Sequence, residues 1–180
     1  MEAYPMRNKI IIIDTSIMCC WLNIYGKETC GPSHEKWDRE KVEEYIKSET
    51  DKGATLVLAL PVIIETGNHI AQAAAKRYEC GVKFVEMITK AVDEKSPWAA
   101  FSRQEELWDG EKIKELVEVW PEFVKEQKQK NLSMGDIMIK SVADFYAELG
   151  SEVVIFTGDQ GLKIHENVAI KPANVPRRRK

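Results

Sequence analysis

Three uninterrupted apolar runs constrain the fold of this chain more than any other feature of its sequence. They are "IIII" at 10–13, "TLVLAL" at 55–60 and "VVIF" at 153–156. Runs of Ile, Val and Leu without polar alternation are typical of strands buried on both faces of a parallel sheet. Segments with helical spacing lie between the runs, and strands that alternate with helices form right-handed βαβ units. The sequence therefore predicts an α/β fold with a central, mostly parallel sheet.

Helical patterns also fill the long segment between the second and third runs. From residue 62 to about residue 90 the pattern predicts two helices that divide near Gly81. A further helix covers roughly residues 110–130, and Pro121 should bend or split it, because proline lacks the N–H of a helix interior. We expect residues from about 80 to 132 to form a helical insertion or flap.

The last third of the chain has the clearest local pattern. A helix begins near Asp136 and ends before Gly150. Its expected apolar face consists of Met138, Val142, Phe145 and Leu149. "VAIK" at 168–171 predicts a final strand, and residues 26–37, which contain Gly and Pro, predict a loop.

Length and composition are those of a globular protein. A chain of 180 residues, 44% hydrophobic and 31% charged, falls in the size range of one domain. We expect a single domain over residues 1–176 and a basic tail over residues 177–180. No apolar run approaches the ~20 residues that cross a membrane, and the N-terminal segment lacks the pattern of a secretory signal. A cytoplasmic location and no membrane partner are therefore expected.

Charge and cysteine content narrow the class further. The net charge of −3 argues against a protein that mainly coats nucleic acid. The basic patches are either solvated surface or contacts for phosphate groups; they comprise Lys125, Lys128, Lys130 and residues 177–180. The cysteines show no C-x-x-C pairing, which favours reduced, mostly structural thiols; they are Cys19, Cys20, Cys30 and Cys80.

Four acidic residues are expected to meet at one edge of the sheet. Asp14 directly follows the first run, and Glu65 lies about one turn beyond the second. The helix from Asp136 is ~22 Å long and the next strand returns ~17 Å, which brings Asp136 and Asp159 to the same edge. In open α/β sheets, ligands bind at the carboxyl ends of the strands. Each acid also has a purely structural explanation as a helix cap, a first-turn residue or a turn residue.

Four carboxylates in one crevice repel one another, and a divalent cation is the usual means of neutralising them. An oxygen-only site suits Mg²⁺ or Mn²⁺ rather than zinc. Such ions can hold a phosphodiester, lower the pKa of a water and stabilise the leaving oxygen. The acid pattern therefore predicts metal-dependent phosphate chemistry.

The motifs around these acids resemble those of the PIN-domain nucleases, which include the VapC-like toxins of toxin–antitoxin pairs. The matching segments are "IIIIDTS" with Asp14, "LPVIIETGNHI" with Glu65, "LSMGDIMIKSVA" with Asp136 and "VVIFTGDQGL" with Asp159. They extend from the first strand nearly to the C-terminus. The segments between the first three acids are longer than in a compact toxin, which weakens the toxin assignment more than the nuclease assignment.

The resemblance implies a three-layer α/β/α fold and a metal-dependent endoribonuclease that hydrolyses single-stranded RNA, with Mg²⁺ or Mn²⁺ as cofactor. It implies that the catalytic, metal-binding residues are Asp14, Glu65, Asp136 and Asp159. It also implies that Ser16 and Thr157 bind the substrate phosphate or orient a carboxylate. An antitoxin protein and a second copy of the chain, in a homodimer, are candidate partners.

Three other classes compete with this hypothesis. A phosphatase of the haloacid dehalogenase type needs a second Asp two residues after the first, where this chain has Ser16. A nucleotide-binding module needs a Gly-rich phosphate loop, which the sequence lacks. The remaining alternative is a non-catalytic, PIN-like RNA-binding or scaffold protein, which should bind Mn²⁺ no better than background.

Overall fold

The computed structural model describes residues 8–99, 101–124 and 131–164. In chain order the elements are β1 (Lys9–Ile13), α1 (Thr15–Leu22), β2 (Thr29–Cys30), β3 (Trp37–Asp38), α2 (Arg39–Asp51), β4 (Thr55–Leu58), α3 (Leu60–Gln72), α4 (Arg77–Val92), a 3₁₀ helix (Phe101–Trp108), α5 (Gly110–Val124), α6 (Met134–Glu148), β5 (Glu152–Phe156) and α7 (Gln160–Ile164). The predicted final strand, the lysines at 125, 128 and 130, and the basic tail lie outside the described residues.

The three apolar runs form one parallel sheet with the strand order β4-β1-β5. Ile13 of β1 is in register with Leu58 of β4 and with Phe156 of β5, so the three strands end together. Ile11 and Ile12, in the central strand, are fully buried, which explains why this run has no polar alternation. The predicted α/β class with a parallel sheet is confirmed.

Helices pack on the sheet and on one another. Helix α1 contacts α2 and α3, whereas α6 packs along β1 and β5. The side chains of the sheet and these helices share one hydrophobic core. Among the described residues, no helix combines the length and the apolar character that a membrane span requires.

The face that α6 buries differs from the predicted one. Val142 is fully buried as expected, but Leu149 is 59% exposed. The buried stripe runs through Ile139, Val142 and Tyr146, spaced i, i+3 and i+7. Both stripes fit helical periodicity because apolar residues surround much of this helix, and packing against β1 and β5 selects between them.

The helical region after β4 is divided at a different place from the one predicted. Helix α3 ends at Gln72, α4 starts at Arg77, and Gly81 lies inside α4 without interrupting it. A single glycine destabilises a helix by only about 1 kcal/mol, so Gly81 does not end it. The chain instead changes direction between α3 and α4, where Lys76 has a left-handed φ of 59°. Helix α5 also continues through Pro121 to Val124, so this proline does not split it.

The segment predicted as a loop contains a short hairpin. Strands β2 and β3 pair antiparallel, with Cys30 opposite Trp37. Trp37 packs edge-on against Phe156 at a ring-centroid distance of 4.8 Å. The hairpin therefore lies over the C-terminal end of β5, where the predicted site is located.

Candidate active site

Asp14 is the most constrained of the predicted site residues. It leaves β1 at its carboxyl end, is 4% exposed, and is the N-cap of α1. Its Oδ2 atom accepts hydrogen bonds from the Ser16 backbone N at 3.2 Å, the Ser16 Oγ at 2.6 Å and the Thr157 Oγ1 at 2.8 Å. Three donors on one oxygen hold the carboxylate in a single orientation.

The turn after β5 is hydrogen-bonded to the two hydroxyl groups that donate to Asp14. The Gly158 backbone N donates to Ser16 Oγ at 2.9 Å, and the Asp159 backbone N donates to Thr157 Oγ1 at 2.9 Å. Asp159 is exposed, and its Oδ1 accepts from the Gly161 backbone N at 2.7 Å. The two residues predicted to bind phosphate or orient a carboxylate, Ser16 and Thr157, thus both contact Asp14.

Asp136 lies in the first turn of α6, where its side chain forms a capping box with Ser133. Burial raises the pKa of the Asp136 carboxyl above its ordinary value, and the negative charges of Asp14 and Asp159 raise it further. The hydrogen bonds with Ser133 oppose this shift. Asp136 is therefore close enough to Asp14 and Asp159 to be repelled by both.

Glu65 reaches the same region from α3 and is held differently. Its Oε2 accepts a hydrogen bond from Thr15 Oγ1 at 2.9 Å. Its Oε1 lies against Gly135 of α6, where any Cβ atom would overlap it. The glycine before Asp136 therefore makes room for Glu65 and lets α3 and α6 approach each other.

A cavity of about 240 Å³ opens beside Asp14. Asp14, Ser16 and Asp159 form part of its wall, and Lys27, Cys30 and His69 form another part. Burial lowers the pKa of His69, and the positive charge of Lys27 lowers it further, so these two side chains are close together. Neither Glu65 nor Asp136 lines this cavity.

Sequence reasoning missed Gly135, Lys27, Cys30 and His69. The sequence did contain a signal for Gly135. Glycine is unfavourable inside a helix, yet Gly135 lies in the first turn of α6, directly before the predicted site residue Asp136. Lys27 had only its position in a loop, where binding residues are frequent. Cys30 had in addition a spacing from His34 that resembles half of a zinc site, but the sequence lacks a second pair. His69 follows Glu65 by one helical turn on α3, which places both on one side of the helix.

The four acids approach one another without forming a ready metal-binding cluster. Within the part of the chain that the structure describes, no group of three or more His, Cys, Asp and Glu residues is arranged to hold a metal ion. Two of these acids also have the purely structural roles that the sequence allows, since Asp14 is an N-cap and Asp136 is part of a capping box.

No family model, curated protein or solved structure matches the chain.

Proposed function

We propose that this protein is a PIN-like endoribonuclease that hydrolyses phosphodiester bonds of single-stranded RNA in the presence of Mg²⁺ or Mn²⁺. The observation that carries the proposal is that acids from different elements meet: Asp14, which follows β1, and Asp159, in the turn after β5, line one cavity. The pKa of Asp136 on α6 is raised by burial and further by the charges of Asp14 and Asp159. Like charges placed near one another cost stability, and a bound cation would offset that cost.

The residues fit a hard divalent cation by their chemistry. Asp14, Glu65, Asp136 and Asp159 would hold it, because carboxylate oxygens are the ligands that Mg²⁺ and Mn²⁺ prefer. When bound, the ion would neutralise the carboxylates, polarise the phosphodiester and lower the pKa of an attacking water.

The remaining contacts assign roles to this chain's own residues. Ser16 and Thr157 position Asp14 through Oδ2, and Thr15 positions Glu65 through Oε2. Lys27 supplies a positive charge on the cavity wall, which favours entry of a phosphate group into an otherwise acidic site. Positioned groups of this kind lower the barrier because they need not reorganise during the reaction.

The test uses the full-length protein and a single-stranded RNA labelled at one end. Cleavage should require Mg²⁺ or Mn²⁺, stop in EDTA, and leave a 3′-hydroxyl and a 5′-phosphate, because water rather than the ribose 2′-hydroxyl attacks. An RNA with 2′-deoxy or 2′-O-methyl groups at the cleaved position should still be cut for the same reason. Cleavage that survives exhaustive chelation, or products with 2′,3′-cyclic phosphates, would contradict the proposal.

One observation favours the non-catalytic alternative, an RNA-binding or scaffold protein. This observation is the lack of an arranged metal-binding group among the residues that the structure describes. A scaffold should bind the same RNA without cutting it and should show no specific uptake of Mn²⁺ by calorimetric titration. The toxin role, the antitoxin partner, the homodimer and the cytoplasmic location remain predictions.

A further inference from the structure

Two tyrosine rings lie largely in water where α1 ends and α4 begins. Tyr25 follows the end of α1 and is 54% exposed, whereas Tyr78 lies in the first turn of α4 and is 85% exposed. One exposed aromatic side chain is ordinary on a protein surface, but neighbouring ones indicate a contact surface. The positions of these two rings relative to each other therefore matter.

A contact between the two helices brings the tyrosines to the same part of the surface. Cys80 of α4 donates a hydrogen bond through Sγ to the Leu22 carbonyl oxygen at 3.5 Å. Leu22 is the last residue of α1, and Cys80 follows Tyr78 by two residues. The first turn of α4 therefore packs beside the segment that carries Tyr25.

Basic side chains lie directly beside both tyrosines. Lys27 follows Tyr25 by two residues, whereas Lys76 and Arg77 immediately precede Tyr78 in the chain. All three basic residues are exposed. We call the whole set the aromatic–basic surface; it consists of Tyr25, Lys27, Lys76, Arg77 and Tyr78.

Two acids, Glu28 and Glu79, adjoin this surface in the chain. The Gly26 backbone N donates to Glu28 Oε1 at 3.0 Å, which turns this carboxylate back onto its own loop. That hydrogen bond lowers the pKa of Glu28, and the positive charge of Lys76 lowers it further, in agreement with the contact between the two segments. The three basic groups outnumber the two acids, although the net charge of the chain is −3.

The aromatic–basic surface is continuous with the acidic site. Lys27 lines the cavity beside Asp14 and Asp159. The backbone from Lys27 to Tyr25 spans at most about 7 Å. A polymer that places one phosphate group in the cavity and leaves it past Lys27 therefore reaches the tyrosines directly.

We propose that the aromatic–basic surface binds the nucleotides next to the cleaved bond of a single-stranded RNA. Bases stack on Tyr25 and Tyr78, while the three basic side chains contact phosphate groups. The choice of RNA as the occupant rests on the proposed function. Aromatic stacking combined with basic contacts is a general way of holding single strands. Because the bases of a duplex are already paired and stacked, the two tyrosines give the protein its preference for single strands.

The experiment measures binding of a fluorescein-labelled oligouridine to the full-length protein by fluorescence anisotropy. EDTA is present throughout, because it stops the proposed cleavage. Tyr25→Ala and Tyr78→Ala should each weaken binding by at least about fivefold without changing its salt dependence. Lys76→Gln should reduce the slope of log K against log salt by about 0.7.

The matched controls lie near the other end of α4. Val92→Ala and Lys90→Gln change an exposed apolar and an exposed basic side chain ~21 Å along the helix from Tyr78 and Lys76. Both should bind like the wild type. Oligouridine annealed to oligoadenosine should bind the wild type at least about fivefold more weakly than the single strand does. Circular dichroism checks that each variant is folded.

The inference is wrong if the tyrosine variants bind as well as Val92→Ala, if the duplex binds as tightly as the single strand, or if the wild type binds no RNA in EDTA. A dimer that either tyrosine substitution dissociates, seen by light scattering, would assign the surface to a second copy instead. The outcome is separable from that of the proposed function. Tyrosine-independent binding with metal-dependent cleavage contradicts only this inference, whereas tyrosine-dependent binding without cleavage in Mg²⁺ or Mn²⁺ contradicts only the proposed function.

Discussion

At the scale of single residues, a substitution at Asp14 tests whether this acid is catalytic or only a helix cap. Asp14→Asn keeps an oxygen that can cap α1 but removes the charge. Removal of a residue that only hydrogen-bonds to a metal ligand lowers activity by up to about 100-fold. Because Asp14 is proposed as a ligand itself, RNA cleavage should fall by at least about 100-fold. The melting temperature should hold or rise, because repulsion with Asp136 is relieved.

Asp38→Asn is the matched control for this substitution. Asp38 is the N-cap of α2, and its side chain accepts from the Lys41 backbone N at 3.0 Å, but it lies outside the acidic site. It should leave cleavage unchanged. If Asp14→Asn cleaves as well as Asp38→Asn does, then Asp14 is only a helix cap.

At the scale of elements, the contact between α3 and α6 depends on Gly135. In Gly135→Ala the new Cβ would overlap Glu65 Oε1, so the Glu65 carboxylate must move. We expect cleavage to fall by at least 10-fold, while stability changes by no more than about 1 kcal/mol, because the helical preference of Ala offsets the crowding. Cleavage assays and urea denaturation measure the two effects.

Gly81→Ala provides the comparison within α4. A Cβ built there meets nothing within 4 Å apart from its chain neighbours and the nearby backbone of α4, so this variant should gain up to about 1 kcal/mol of stability and cleave normally. Normal cleavage in Gly135→Ala would show that the position of Glu65 does not matter for the reaction.

At the scale of the whole molecule, metal binding should appear as added stability, because an ion that binds only the folded chain shifts the unfolding equilibrium. At a Mn²⁺ concentration of about 100 times the Kd the gain is about 2.7 kcal/mol. For a chain of this length this corresponds to an increase in melting temperature on the order of 5–10 °C. Differential scanning fluorimetry of wild type and Asp14→Asn tests this. Equal shifts in the two proteins would mean that the ion binds elsewhere.

The sequence alone was sufficient for the features that depend on near neighbours. Uninterrupted apolar runs identified the three strands of the sheet, because strands buried on both faces need no polar alternation. The N-cap position of Asp14 and the capping box of Ser133 and Asp136 follow from spacings of a few residues. The expected convergence of the acids followed from element lengths; Asp14 and Asp159 line one cavity, whereas Glu65 and Asp136 do not line it.

Only the tertiary structure decided contacts between residues far apart in the chain. Thr15 and Glu65 are 50 positions apart, and the Gly135 contact with Glu65 depends on how closely α3 and α6 pack. Cys20 of α1 donates a hydrogen bond to the Trp37 carbonyl oxygen because a hairpin lies over α1, and its two-residue strands are too short to produce a sequence pattern. The buried face of α6 was likewise selected by its position on β1 and β5. Local periodicity specifies which residues can be buried, whereas the packing of whole elements specifies which of them contact one another.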